Sequence, residues 1–178
     1  MVTYSVHTGQ TNFRPLENPL PRFNAKGFEL EFLFHKGAWC SKEEWGGDDD
    51  YYDWQKLKGL TGFFSLNNRN SAMFAFRYGE QEESYQIAPY TNFKGRWKVS
   101  QEIIILAGQP VTVQAVFGKD KVTYYYGPLR VEHDFKRRLV MREIGTYAGG
   151  ADNAPGPHGG RAFKDMKIDI DFKVTKTR

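Results

Sequence analysis

The chain has one cysteine, Cys40, in 178 residues, so no disulfide can form within it and the fold must be held by packing alone. A lone thiol of this kind is read as a buried, inert one. Histidine is scarce as well: His7, His35, His133 and His158 fall at spacings that match no metal motif, and surface or loop positions account for them. No apolar run approaches the length needed to span a bilayer. The first ten residues are polar and lack the apolar core of a signal peptide, so synthesis in a cytoplasm is expected. No stretch keeps a helical apolar period over a convincing length, and no cofactor-binding motif is present, so no cofactor is expected. The net charge of +4 and the pI near 9.1 are mildly basic, but without a recognisable nucleic-acid module that basicity does not make nucleic acid an expected partner.

What the chain does have is alternation. In Phe28–Phe34 the residues Phe28, Leu30, Phe32 and Phe34 share one face and Glu29 and Glu31 the other, as a half-buried antiparallel strand requires. At the far end Met166, Ile168, Ile170, Phe172 and Val174 oppose Lys167, Asp169, Asp171 and Lys173 in the same way. Between them the pattern predicts strands near Leu60–Leu66, Ser71–Tyr78, Ser84–Tyr90, Trp97–Leu106, Pro110–Phe117, Lys121–Tyr126 and Arg138–Ile144. Turn residues punctuate them at Asn67–Asn70, Gly79-Glu80, Lys94-Gly95, Gly108–Pro110, Gly118–Asp120 and Gly127-Pro128. Short helical turns fit near Glu43–Trp45 or Trp54–Leu57. The expectation is an all-β domain, a two-sheet antiparallel jelly-roll sandwich over 25–178. Residues 1–24, with Pro15, Pro19 and Pro21, are read as an extended N-terminal arm.

Charge is segregated along the chain. From Glu29 to Asp53 eight acids face only Lys36 and Lys42, whereas Lys119 to Arg142 is dominated by Lys119, Lys121, Arg130, Lys136, Arg137, Arg138 and Arg142. Two solvated faces of opposite sign explain this; so would head-to-tail contact between copies or a bound polyanion. In the arm, Phe13, Leu16, Leu20 and Phe23 are candidate anchors for self-association or attachment to a larger assembly.

Three segments carry a resemblance to known proteins. The order Tyr52-Asp53-Trp54-Gln55-Lys56-Leu57, then Asn70–Tyr78, then Gln86-Ile87-Ala88-Pro89-Tyr90 resembles jelly-roll proteins of Bacteroidota and their phages. The closing segment Gly145-Thr146-Tyr147-Ala148-Gly149-Gly150 with Ala154-Pro155, leading into Met166–Val174, is similar to the tail of concanavalin A-like lectin and glycan-lyase domains. The Gly149-Gly150 turn also has a purely mechanical reading, since glycine adopts positive φ freely and Pro155 fixes an extended exit. The resemblance implies two sheets packed face to face, the concave one forming a groove that in many relatives holds a glycan. Hydrolases of this superfamily use a Glu-x-Asp-x-x-Glu strand; here Glu29-Leu30-Glu31 and Asp169-Ile170-Asp171 each lack the third acid. The lyase strand Gln-Ile-His is echoed by Gln86-Ile87, but Ala88 stands where the base belongs. Arg77, Gln86, Tyr90 and Tyr78 would still line a groove if their strands are neighbours.

No catalytic residue is therefore assigned, and binding is the expected activity. Aromatic faces that stack on sugar rings and planar polar groups that hold hydroxyls occur together beside the irregular segments. The glycan-binding candidates are Trp39, Trp45, Tyr51, Tyr52, Asn68, Arg69, Arg77, Gln86 and Tyr90, with Trp45 or Tyr51 expected to be more exposed than Trp54. Asp48, Asp49, Asp50 and Asp53 form a weak calcium candidate without the glycine and distal glutamate of an EF-hand, and a solvated acidic loop explains them more simply. The leading expectation is a non-enzymatic jelly-roll module that recognises a glycan. The alternatives are a structural assembly protein, such as a virion-associated accessory or capsid-decoration subunit, and a polysaccharide lyase.

Overall fold

The computed structural model describes residues 1–16, 20–46, 49–148 and 161–176. In chain order its elements are β1 (Val2–Val6), β2 (Arg22–Phe23), β3 (Ala25–Phe34), α1 (Lys42–Trp45), a 3-10 turn (Asp49–Tyr52), β4 (Gln55–Gly62), β5 (Asn70–Tyr78), β6 (Ser84–Phe93), β7 (Arg96–Val99), β8 (Ile103–Leu106), β9 (Val111–Phe117), β10 (Lys121–Tyr126), β11 (Leu129–Asp134), β12 (Val140–Ile144) and β13 (Met166–Lys176). One sheet runs β1-β13-β3-β9-β10-β11, and the other runs β2-β12-β4-β5-β6-β7 with β8 also on β6. Every pairing is antiparallel. The predicted jelly-roll sandwich is the observed architecture.

Alternation decides which side chains meet between the sheets. On β3, Phe28, Leu30, Phe32 and Phe34 are buried, and on β13 Met166, Ile168 and Ile170 share that interior, in the predicted register. Phe34 stacks on Tyr85 of the opposite sheet at 4.1 Å, and Phe28 meets Phe74 edge-on at 6.2 Å. Such pairs add to simple burial because edge and face carry opposite partial charge. Cys40 is buried too, and burial pushes its thiol up to about 12, as the inert reading requires.

The described parts of the expected arm, residues 1–16 and 20–24, pack onto the sandwich rather than reaching away from it. β1 adds an edge strand to β13, β2 adds one to β12, and Phe13 is fully buried. Of the expected anchors only Leu16, Leu20 and Phe23 are exposed. The strand is hard to see in sequence because β1 has a single partner and only Tyr4 and Val6 face the core.

Other departures have equally local causes. The region read as a strand at Leu60–Leu66 begins instead at Gln55, and Trp54–Leu57 is not helical. The stretch Trp97–Leu106 is broken into β7 and β8, both pairing with β6. Ser100 N–H donates to the Pro89 carbonyl, so the side of β6 facing β7 and β8 is the side on which Pro89 has no N–H to offer. β11 follows the Gly127-Pro128 turn and escapes a hydrophobic reading because the one buried side chain of Leu129–Asp134 is His133.

Candidate functional site

The sheet containing β4, β5 and β6 has one face in the core and one outside. Phe74, Phe76 and Tyr78 point inward, so Met73, Ala75 and Arg77 point out, and the register then places Gln86, Ala88 and Tyr90 of β6 beside them. β4 would break this order if it were regular, since Lys56 and Lys58 are two apart and should share a face. A bulge at Leu57 shifts the pairing, so that Lys56 opposes Ala75 on the outer face while Lys58 opposes Phe74 in the core. Inside, Lys58 is compensated by Glu143 at 3.6 Å and by the Tyr4 hydroxyl at 3.3 Å, and Arg22 also binds Glu143.

Glycine and alanines make the floor of the outer face. A Cβ at Gly59 would lie 2.3 Å from the Ala72 carbonyl oxygen and 2.4 Å from Met73 Cβ, so no other residue fits there without moving the strands. Lys56, Tyr90, Tyr147 and Trp97 stand around this floor. Tyr147 is joined to Lys56 by reciprocal backbone hydrogen bonds of 3.0 Å, which extends the sheet beyond β12, and Asn12 bridges to Tyr147 in turn. A cleft of about 280 Å³ lies at this margin, between Asn12–Leu16 and Arg142–Tyr147.

The Lys56 ammonium lies 4.2 Å from the Tyr90 ring centroid and 6.0 Å from that of Tyr147, and it donates to the Trp54 carbonyl. Burial lowers its pKa to about 8, with nearby Asp53 opposing the shift. Burial likewise raises that of Tyr90, helped by Asp53. Beyond Tyr90, Trp97 stacks on it at 6.3 Å and 14° and is 66 % exposed, an open aromatic face. At the other end of the strands Arg77 Nε donates to Gln86 Oε1 at 2.5 Å, and its guanidinium lies 4.5 Å over the Trp54 ring and 3.8 Å from Glu102. The result is a fixed, planar cation flanked by amide and indole, at one end of a floor that ends in an aromatic platform.

The structure thus brings together Arg77, Gln86 and Tyr90, and sends Tyr78 to the core. It does not gather the loop aromatics. Trp45 and Tyr51 are buried and pack around Tyr78, at 5.9 and 5.8 Å, so the expectation that one of them would be more exposed than Trp54 is overturned. Their apolar area is worth more in the core than stacked on a ligand. Trp39 is half-buried and donates to the Gly79 carbonyl at 2.8 Å. Tyr52 is exposed, under Lys42 at 4.6 Å. Asn68 and Arg69 sit in the turn that begins β5, the full length of that strand from Arg77. Lys56, Tyr147 and Trp97 belong to the site and were not among the candidates. For Tyr147 the signal was its place in a segment read as a structural turn; for Lys56 there was none, because a bulge determines its face.

Asp48 lies outside the described residues, as do the side chains of Asp49 and Asp50. Among the described residues no group of three or more His, Cys, Asp or Glu is placed to hold a metal ion, and no helix is long and apolar enough to cross a membrane.

No family model and no curated protein matches the chain. Solved structures do. An alginate lyase from Pseudomonas aeruginosa aligns at 8 % identity with a TM-score of 0.51, over 86 % of this chain and 66 % of that one, so this chain spans just under two thirds of it. An alginate lyase of polysaccharide lyase family 7 aligns at 10 % identity with a TM-score of 0.50, over 97 % of this chain and 78 % of that one. A carbohydrate-binding module from Bacillus subtilis aligns at 6 % identity with a TM-score of 0.41, over 87 % and 78 %. At such identities the likeness is one of fold. On the two-sheet topology and the two alginate lyases, the chain has an antiparallel jelly-roll sandwich fold.

Proposed function

We propose that this chain is a glycan-binding module that holds an acidic sugar chain across the outer face of β4, β5 and β6. The observation that carries the reading is the pairing of Arg77 with Gln86 on the same face as the Trp97–Tyr90 stack. Arg77 also donates to the Tyr52 carbonyl at 3.4 Å and lies 3.8 Å from Glu102, so a ligand carboxylate would compete with Glu102 for the guanidinium, while the exposed indole of Trp97 offers its face to a pyranose ring. Gly59, Ala75 and Ala88 keep the floor flat but are themselves covered, so a sugar chain would lie over the side chains that surround them, between Arg77 and Trp97. The two alginate lyases that share the fold act on a uronate polymer by name, which supports an acidic ligand. A glycan array that includes uronate oligomers and neutral glucans tests the reading: uronates should bind and neutral glucans should not. Binding of neither class would remove it.

One observation favours a second reading, a polysaccharide lyase. The Lys56 amine, with its lowered pKa, stands between Tyr90 and Tyr147 and near the arginine that would neutralise a uronate. Against it, Ala88 occupies the position of the expected base, and the amine is held by the Trp54 carbonyl. Incubation with alginate or glucuronan should yield no unsaturated product absorbing in the ultraviolet. A signal that Lys56→Met abolishes would establish the lyase.

A further inference from the structure

The strands run between two ends of unlike character. At one end lie the turn Glu80–Glu83 together with Glu43, Glu44 and Asp53. At the other, four loops are tied to one another: Phe63 N–H donates to the Val140 carbonyl and Asn24 N–H to the Leu139 carbonyl, each at 3.0 Å, and Lys94 N–H donates to the Arg69 carbonyl at 2.9 Å. Asn70 closes the set with bonds of 2.9 and 3.1 Å to the Lys136 backbone.

These tied loops present large apolar side chains to solvent. Phe64 is 94 % exposed, Leu139 69 % and Phe23 54 %, and all three adjoin those backbone bonds. Single exposed apolar residues need no explanation, but three on one rim do. Around them Arg69, Lys94, Arg137 and Arg138 have no ion-pair partner among the described residues, and the Arg138 stem packs beside Gly62. The nearby acid Asp120 is already engaged by Lys136 at 2.9 Å.

We propose that this end docks on an anionic lipid surface, Phe64 and Leu139 entering the headgroup boundary while Arg69, Lys94, Arg137 and Arg138 face the lipid phosphates. Lipid satisfies both halves of the feature, since the interface takes apolar tips and attracts cations. A soluble polyanion would pair the cations and leave Phe64 in water. The acidic end of a second copy offers the right charge and, among the described residues, exposes Tyr52, Ile104 and Leu106, so the oligomeric state is measured beside vesicle binding. Docking in this pose also points the acidic end away from a negative surface. The glycan-binding face lies along the strands, to one side, so the two activities are separable.

Co-sedimentation with phosphatidylcholine vesicles, with and without phosphatidylserine, tests the proposal. The chain should pellet with the phosphatidylserine vesicles, and added salt should release it. The pair Phe64→Ser and Leu139→Ser should weaken binding about tenfold or more. The pair Lys94→Glu and Arg137→Glu should remove the dependence on phosphatidylserine. Both double variants should keep the circular dichroism and uronate binding of the parent. The proposal is overturned if the parent ignores phosphatidylserine vesicles, or if Phe64→Ser with Leu139→Ser binds them as well as the parent does. It is equally overturned if light scattering finds the parent oligomeric and that variant monomeric, which would assign the rim to a second copy.

Discussion

The Lys56 ammonium sits 4.2 Å from the Tyr90 ring centroid on the floor of the outer face, almost wholly out of water. Its pKa near 8 lies below the unfolded value of about 10.4, so the unfolded chain holds more protons between those two values. Stability should therefore rise with pH across that window, and the full penalty should be present below it. Lys56→Met should stabilise the fold at neutral pH by on the order of 2 kcal/mol and flatten that rise. Urea midpoints at pH 7 and pH 10 measure both effects.

His133 predicts the acid limb. Its ring is buried between Thr91 at 2.8 Å and Ser100 at 2.6 Å, and burial, with Lys98 adding to it, lowers its pKa to about 4. The unfolded chain binds the proton first, so stability should fall as pH drops from about 6.5 to about 4. His133→Gln should remove much of that fall. An unchanged acid slope in the variant would assign the loss to carboxylates instead.

The last strand carries a contrast between neighbours. Ile170 is buried opposite Phe32, whereas Asp171 faces outward and pairs with Lys173 at 2.9 Å. Ile170→Asp should cost several kcal/mol and abolish or aggregate the fold, because an unpaired carboxylate would enter the core. Asp171→Asn should leave the melting temperature nearly unchanged.

Deleting Met1–Arg22 removes β1 and the buried Phe13 ring. The truncated chain should lose the cooperative melt of the parent, and Phe13→Ala alone should cost about 3–5 kcal/mol. Thermal melts followed by circular dichroism decide it, and an unaltered melt would restore the view of this segment as a passive arm.

Much of the architecture was legible because β3 and β13 alternate cleanly and Gly, Asn and Pro mark the turns. What was hidden had little pattern to show. β1 and β2 are edge strands with few inward residues, β7 and β8 are divided by the donor that Pro89 lacks, and the face of Lys56 depends on a bulge at Leu57. The site was partly legible. Arg77, Gln86 and Tyr90 follow from period two once β5 and β6 are neighbours, but loop aromatics such as Trp45 and Tyr51 look alike in sequence whether they pack inward or face a ligand.

The most direct test is a calorimetric titration of a uronate oligomer into the parent, Arg77→Ala and Trp97→Ala. The parent should bind with favourable enthalpy, Arg77→Ala should lose the preference for uronate over a neutral glucan, and Trp97→Ala should weaken both by about 1–3 kcal/mol without altering the melt. Equal affinity for uronate in the parent and in both variants would contradict the assignment of this face as the binding site.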